Sequence, residues 1–479
     1  MIASSQGFMI AKIKILVVLF VLAVFSNVST GQIVKLPSYI LESGASLSSG
    51  RQSPFWFVCN QFGKQSVNNA SGFLSAQITA HEDTSKKIDY TYGLELFDRV
   101  DGENKFWLHQ AYFRVRMQFL YLRVGKCEES YGNQDSILSS GSALWSKNPR
   151  PMPKIVIGTN DFVNVPFTKG YLKFNGLLAH GWFGEGGYAK DVYLHHKYIN
   201  LKLGGNLPVN LTWGLHHYAM WGGVDPVLGP APNNLDAYWR VFLNRPGNPE
   251  DPNTSEYDTL NRLGNHLGSR NYAVDIRLRP FKIRVYYQTI FEDNSGFKKH
   301  FMRDGLWGIV MRTRESDKII NSVLYERFYT MYQSGRLKPD HNLKSTEVDN
   351  YFNHYFYQSG WTYHGFTIGS PLITSPELST EKTRGISNNR LIAHHIGISG
   401  KINIVNYRIL ATWSRNYGTY PMPFSESRHS GSLLFQFSND YSRTKGLEAV
   451  LQFGVDRGEM YGNNMGIGVI VRKHGAFKR

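Results

Sequence analysis

The stretch "FWLHQAYFRVRMQFLYLRVGK", residues 106–126, decides how the chain folds. Trp107, His109, Ala111, Phe113 and Val115 fall on one side of an extended chain and Gln110, Arg114 and Arg116 on the other. That period of two suits a strand and not a helix. After Met117 and Gln118 the alternation restarts, with Leu120, Leu122 and Val124 set against Tyr121, Arg123 and Gly125. The segment reads as two strands joined by a very short turn, with one apolar and one arginine-bearing face.

The same object recurs in "YAVDIRLRPFKIRVYYQ", residues 272–288. Tyr272, Val274, Ile276 and Leu278 alternate with Asp275, Arg277 and Arg279, the chain turns at Pro280 and Phe281, and Ile283, Val285 and Tyr287 then oppose Arg284 and Gln288. "GYLKFNG", "YINLKLGGN", "GKINIVNYRILATW", "SGSLLFQFSN", "LEAVLQFGVD" and "MGIGVIVRK" continue the pattern almost to the C-terminus. No proline-rich or low-complexity linker divides them, so residues 32–479 read as one domain.

The first residues bear on which environment each face meets. Lys12 and Lys14 precede "ILVVLFVLAVF", an apolar run of 11 residues, followed by the small residues Ser29, Thr30 and Gly31. The run is too short to span a bilayer and reads as a signal peptide, residues 1–31, cleaved before Gln32. Its removal takes away two lysines and no acid, so the formal charge of +16 becomes +14. After Gln32 no stretch approaches the roughly 18 consecutive apolar residues of a transmembrane helix. Cys59 and Cys127 are too few for a disulfide scaffold and leave two alternatives, one bridge or two free thiols. The 46 glycines, 28 tyrosines, 29 phenylalanines and 10 tryptophans suit many strands with tight bends and aromatic belts.

Alternation alone does not say whether the apolar faces point in or out; size weighs on the choice, and very short turns beside long polar excursions agree with it. Soluble cores stop growing at about 250 to 300 residues, whereas a membrane barrel has a lumen that need not be a packed core. The expected fold is therefore all-β: a large antiparallel transmembrane barrel of roughly 16–18 strands, with long extracellular loops carrying short helices. On this reading the arginines at 114, 116, 123, 277, 279 and 284 line the lumen or the periplasmic rim. At the lipid midplane each would cost about 2 to 4 kcal/mol.

Seven further blocks, "NPRPMPKIVIG", "FVNVPFTKGYLKFNGLLAHGWF", "VYLHHKYINLKLGG", "WGLHHYAMWGG", "NRLGNHLGS", "DGLWGIV" and "DNYFNHYFYQSGWTYHGFTIGSPLI", come in a characteristic order. In order and spacing they resemble the capsule assembly protein Wzi family as it occurs in Bacteroidetes, over about residues 53–472. The resemblance implies an outer-membrane barrel of roughly eighteen strands that acts as a surface lectin. Such a barrel attaches or organises capsular polysaccharide and has no known catalytic activity. It also implies that the Trp107 face looks at lipid and the Arg114 face at the lumen. Where many bacterial barrels end on an aromatic residue, this chain continues as "HGAFKR", which leaves either Phe477 in that role or a free tail.

Catalytic signatures are missing. His195-His196, His216-His217 and His394-His395 are adjacent pairs, which in a strand face opposite sides and cannot chelate one metal. His81-Glu82 starts no H-E-x-x-H, no G-x-S-x-G occurs, and "GIGVIV" lacks the third glycine of a dinucleotide site. No enzyme, cofactor or metal is expected.

The longest excursion from the strand pattern runs over residues 222–270, and "NNLDAYWRVFLNRP" within it reads as a helix capped by Asn233 or Asn234 and stopped before Pro246. As a loop that narrows or closes the lumen it needs no ligand. As a sugar platform it would use Trp221, Tyr238, Trp239 and Arg240, aromatic faces stacking on pyranose rings and arginine pairing with acidic sugars. Trp361 and Tyr363 form a second candidate platform, alongside the plainer reading of an aromatic girdle. The expected function is a monomeric surface barrel that binds acidic capsular or extracellular polysaccharide and contacts outer-membrane lipid and lipopolysaccharide, but not nucleic acid. A solute-conducting porin is the alternative.

Overall fold

Eighteen antiparallel strands close into a barrel in the computed structural model, which describes residues 35–292, 303–315, 317–333, 349–381 and 383–477. They are β1 Ser38–Gln52, β2 Asn68–Thr79, β3 Ile88–Val100, β4 Asn104–Met117, β5 Leu120–Lys126 and β6 Pro153–Thr159. β7 Leu172–Gly184, β8 Val192–Leu203, β9 Val209–Trp221, β10 Asn265–Arg277, β11 Phe281–Gln288 and β12 Gly305–Thr313 follow. β13 Ser322–Tyr329, β14 Leu391–Ile402, β15 Val405–Gly418, β16 Pro423–Asn439, β17 Leu447–Gly458 and β18 Asn464–Ala476 complete the wall. Each strand pairs with its neighbours in chain order, and β18 returns to β1 with Ser38 opposite Ala476. Closure leaves no edge strand among them, which is what makes a sheet tolerable in lipid. The expected signal peptide lies outside the described residues.

Alternation sets the two faces. In β3 Asp89, Thr91, Glu95, Phe97 and Arg99 are buried toward the lumen, while Ile88 and Val100 at its ends are exposed on the outside. Leu120, Leu122 and Val124 of β5 and Ile155 and Ile157 of β6 continue the outer apolar surface. Outward aromatic rings form part of a belt: Tyr272 stacks on Tyr287, and Tyr287 on Trp307 with centroids 4.0 Å apart. The second hairpin turns over residues 278–280, and Phe281 already belongs to β11.

The 106–126 hairpin does not keep one register throughout. Glu95 lies opposite Gln110 but Leu96 lies opposite Leu108, so β4 carries a bulge at His109. Below the bulge Ala111, Phe113 and Val115 face outward and Arg114 and Arg116 inward. Above it the faces are exchanged, and Trp107 points into the lumen against Phe97, with centroids 4.8 Å apart. The expectation that Trp107 looks at lipid is thus corrected: one extra residue in a ladder of period two inverts everything beyond it. His109 itself is buried and bonds Glu128 at 2.9 Å.

The two ends of the barrel differ. One carries both strand termini and short connections, the longest spanning 160–171; the other carries those spanning 53–67, 127–152, 222–264 and 330–390. Short periplasmic turns and long extracellular loops orient the barrel. Phe477 packs against the start of β1: its ring lies 5.2 Å from Tyr39 and its N–H donates to the Pro37 carbonyl at 3.1 Å.

The longest connection is 330–390; the excursion expected over 222–270 spans 222–264 and is shorter. Its described part packs inside the barrel with 53–67 and 127–152, where their buried residues form one core with the wall. The short helix α1, Phe55–Val58, is fully buried, and the wall makes room for it with Gly454 and Gly466, where a Cβ would come within 2.7 Å of Pro54. Glu326 of β13 accepts from Ser139 Oγ at 2.6 Å, from the Ser140 N–H at 2.7 Å and from Ser140 Oγ at 2.6 Å, and Tyr286 donates to it as well. Gln288 of β11 accepts from Ser142 and the Ala143 N–H, and His395 of β14 bonds the Leu138 carbonyl at 2.7 Å. Trp361 is fully buried and donates through Nε1 to the Leu144 carbonyl at 2.9 Å, which ties two of the plug segments together.

Both cysteines are free thiols, Cys59 buried and Cys127 half-buried.

Candidate functional site

A cleft of about 500 Å³ opens at the loop-bearing end, between the plug and the wall. Arg99 lies near the end of β3, Lys105 near the start of β4, Tyr188 comes from the β7–β8 turn, and Arg150, Tyr363, His364, Glu377 and Arg384 come from the two long inward loops. Four cations face two acids. Asp101 is already engaged, by Arg99 Nε at 2.9 Å and by the Ser66 hydroxyl at 2.6 Å, and Arg99 also donates to the Lys64 and Gln65 carbonyls at 3.1 Å.

Arg150 is different. Its Cζ sits 3.9 Å from the centroid of Trp107, and Arg99 approaches the same indole at 5.5 Å. No ion pair joins it to a carboxylate among the described residues. Burial, and then the Arg99 guanidinium, push its pKa down to about 10, which still leaves it charged at neutral pH. The inward turn of Trp107 at the His109 bulge is what supplies the face on which this cation rests. Burial, and then Arg150, lower the pKa of His364 to about 4, so its ring is neutral there, and burial raises that of Tyr363 to about 12. Arg384 lies 4.2 Å over the Tyr188 ring and donates to Gln358 at 2.8 Å.

Beneath the cleft, Lys64 bridges Glu95 at 2.9 Å and Glu128 at 2.6 Å, beside His109. The grouping of Glu95, His109 and Glu128 has metal-ligand composition. The Lys64 ammonium already supplies the positive charge: burial opposes it, but Glu128 and Glu95 raise its pKa.

Of the six expected sugar-contacting residues, only Tyr363 lines the cleft. Trp361 is enclosed in the plug and offers no ring face to a ligand, which corrects its expected role. Trp221 is also buried, in a separate cluster with Ala219, Ala237, Val241 and Leu263. The expected helix is present as α2, Leu235–Phe242, with Asn234 Oδ1 accepting from the Ala237 N–H at 2.9 Å. It lies, however, against outward-facing residues of the wall: His195 is 5.3 Å from Phe242, and Lys197 donates to the Phe242 carbonyl. It therefore neither closes the lumen nor joins Tyr363. The outward residues Ala219 and Trp221 of β9 are covered by this loop.

The arginines at 114, 116, 123 and 284 lie on inward faces. Arg114 stacks on Tyr121 at 4.1 Å and Arg116 pairs with Glu82, Arg123 pairs with Glu129, and Arg284 makes two bonds to Asp275, at 2.6 and 3.0 Å. Arg277 donates to the Gly205 and Leu207 carbonyls at 2.7 Å, and Arg279 is exposed in the 278–280 turn. They belong to the periplasmic half of the barrel and stand apart from the cleft. What the strand pattern did not single out are Arg150, Tyr188, His364 and Arg384, which sit in irregular segments, and Arg99, which lies in β3 outside the two hairpins read above. One signal was available: Arg150 stands between two prolines in "NPRPMP", where no strand ladder could use it.

No curated protein matches the sequence. Among solved structures the chain is similar to Escherichia coli Wzi, described as an outer membrane protein involved in group 1 capsule assembly and as a carbohydrate-binding β-barrel. The TM-score is 0.58 at 12% identity, covering 90% of this chain and 83% of that one. Pseudomonas aeruginosa OccK5 follows with a TM-score of 0.48 and 7% identity, over 92% of this chain and 98% of that one. The family model for the capsule assembly protein Wzi matches residues 58–374. With a closed eighteen-strand barrel, an outer apolar surface and that match over most of its length, the chain belongs to the Wzi family of capsule assembly proteins of the bacterial outer membrane.

Proposed function

We propose that the barrel holds acidic capsular or extracellular polysaccharide at the cell surface, in the cleft headed by Arg150. The observation that carries this reading is a charged guanidinium on an indole face, lining an open cleft, with no carboxylate bound to it among the described residues. A guanidinium fork matches both oxygens of a uronate carboxylate, and tyrosine faces suit pyranose rings. Family membership and the carbohydrate binding of Escherichia coli Wzi support the same reading. The site binds and positions its ligand and performs no reaction. The barrel acts as a monomer surrounded by outer-membrane lipid and lipopolysaccharide.

Solute conduction is the competing reading, and the packing of three loops inside the barrel speaks against it. Binding of acidic and neutral polysaccharides to the purified barrel, measured beside Arg150→Ala and Arg150→Lys, tests the proposal. A preference for the acidic polymer, weakened about tenfold to a hundredfold by alanine and less by lysine, is expected for one charge-assisted contact. Equal binding by all three proteins would sink it.

A further inference from the structure

The outer side of helix α2 is apolar and uncovered. At 100° per residue the helix divides into three arcs. Ala237 and Val241, with Tyr238 beside them, pack on the wall; Asp236 and Arg240 form a polar arc joined by an ion pair of 2.6 Å; Leu235, Trp239 and Leu243 form the third, 72%, 51% and 50% exposed. A helix needs one apolar arc to dock on a wall, and a second one turned away from it has no role in water.

The wall below it says what covers that arc. On β9 the outward residues Val209, Leu211 and Trp213, 38 to 49% exposed, belong to the lipid-facing surface, and Trp213 pairs across to Tyr272 of the outward aromatic row. The helix covers the next turns of that same face, from His217 to Trp221. Its apolar arc thus continues the lipid-facing surface directly above the aromatic belt, at the height where amphipathic helices lie among headgroups.

We infer that α2 is an interfacial membrane element: Leu235, Trp239 and Leu243 insert into the outer leaflet of the outer membrane, and the Asp236–Arg240 arc stays among the headgroups. The loop carrying it is a lipid-gripping collar on one side of the barrel, not a ligand platform.

The test uses the full barrel folded into vesicles containing lipids brominated at shallow or deep acyl positions. The difference between wild type and Trp239→Phe isolates the Trp239 emission. It should be quenched at least twofold by the shallow label, less by the deep one, and little by aqueous iodide. Heat-modifiable migration verifies folding, and a Trp239→Phe/Leu243→Trp variant moves the reporter four residues along the same arc, where the same response is expected. Iodide quenching without lipid quenching at both positions overturns the inference. So does protection from iodide by added acidic polysaccharide, which would return the helix to a carbohydrate role, or by a second barrel captured through cross-linking at this face.

Discussion

Trp107 with Arg150 and Trp239 with Arg240 are the same residue types in two places, one inside the mouth of the barrel and one outside its wall. The adjacent pair is the less suited to a ligand. Arg240 is held by Asp236 and by the Pro246 carbonyl at 3.1 Å, and Trp239 turns to the outside of the barrel. The pair separated in sequence stacks at 3.9 Å and, among the described residues, leaves its cation without an ion-paired carboxylate. Residue type advertises chemistry, whereas availability depends on what each group has already been given.

That contrast can be broken at several points. The largest effect is expected for Trp361→Ala, which removes a fully buried indole from the plug. The cavity should cost about 3 to 5 kcal/mol of plug stability, read as faster proteolysis of the inward loops in a barrel that stays closed. Glu326→Ala leaves Ser139, Ser140 and Tyr286 without their acceptor and should loosen the same plug by roughly 2 to 4 kcal/mol. Single-channel recording should then detect openings absent from the parent; a silent E326A barrel would show that other contacts suffice to hold the plug.

Binding effects should be smaller and one-sided. Arg150→Glu places a carboxylate where an acidic sugar would dock and should cost about 2 to 3 kcal/mol of affinity. Arg240→Glu, on the outer wall, should change polysaccharide binding by less than about 0.5 kcal/mol. Equal losses from both would erase the distinction between the two regions. The smallest effect concerns pH. His364, lowered to about 4, binds its proton only as pH falls through that value, so its charge is constant and zero from about pH 5 to 8. Affinity for a uronate polymer should be flat over that window, and a step near pH 6.5 would show the histidine to be solvated and outside the cleft.

Much of the wall was legible because a barrel strand states its two environments residue by residue. Leu120, Leu122 and Val124 against Arg123 needed no structure, nor did the helix at 235–242 with its asparagine cap. The plug was not legible in this way. Residues 53–67, 127–152 and 349–381 have no sustained period, and Trp361 in "SGWTYHG" looks the same whether it meets sugar, lipid or Leu144. The bulge at His109 was hidden too, since an inserted residue leaves the types unchanged and only shifts their facing.

The sequence by itself determined the strands, because period-two alternation is a local property of the chain, and its length in one undivided domain pointed to a membrane barrel. The family blocks are likewise written in the order of residues. Which side of the wall a loop chooses, and which of two tryptophan–arginine pairs keeps an unpaired charge, was decided only in three dimensions. Those outcomes depend on partners far apart in sequence, such as Glu326 with Ser140, or Trp107 with Arg150. Burial and charge neutralisation are properties of the neighbours that close around a residue, and no residue carries them alone.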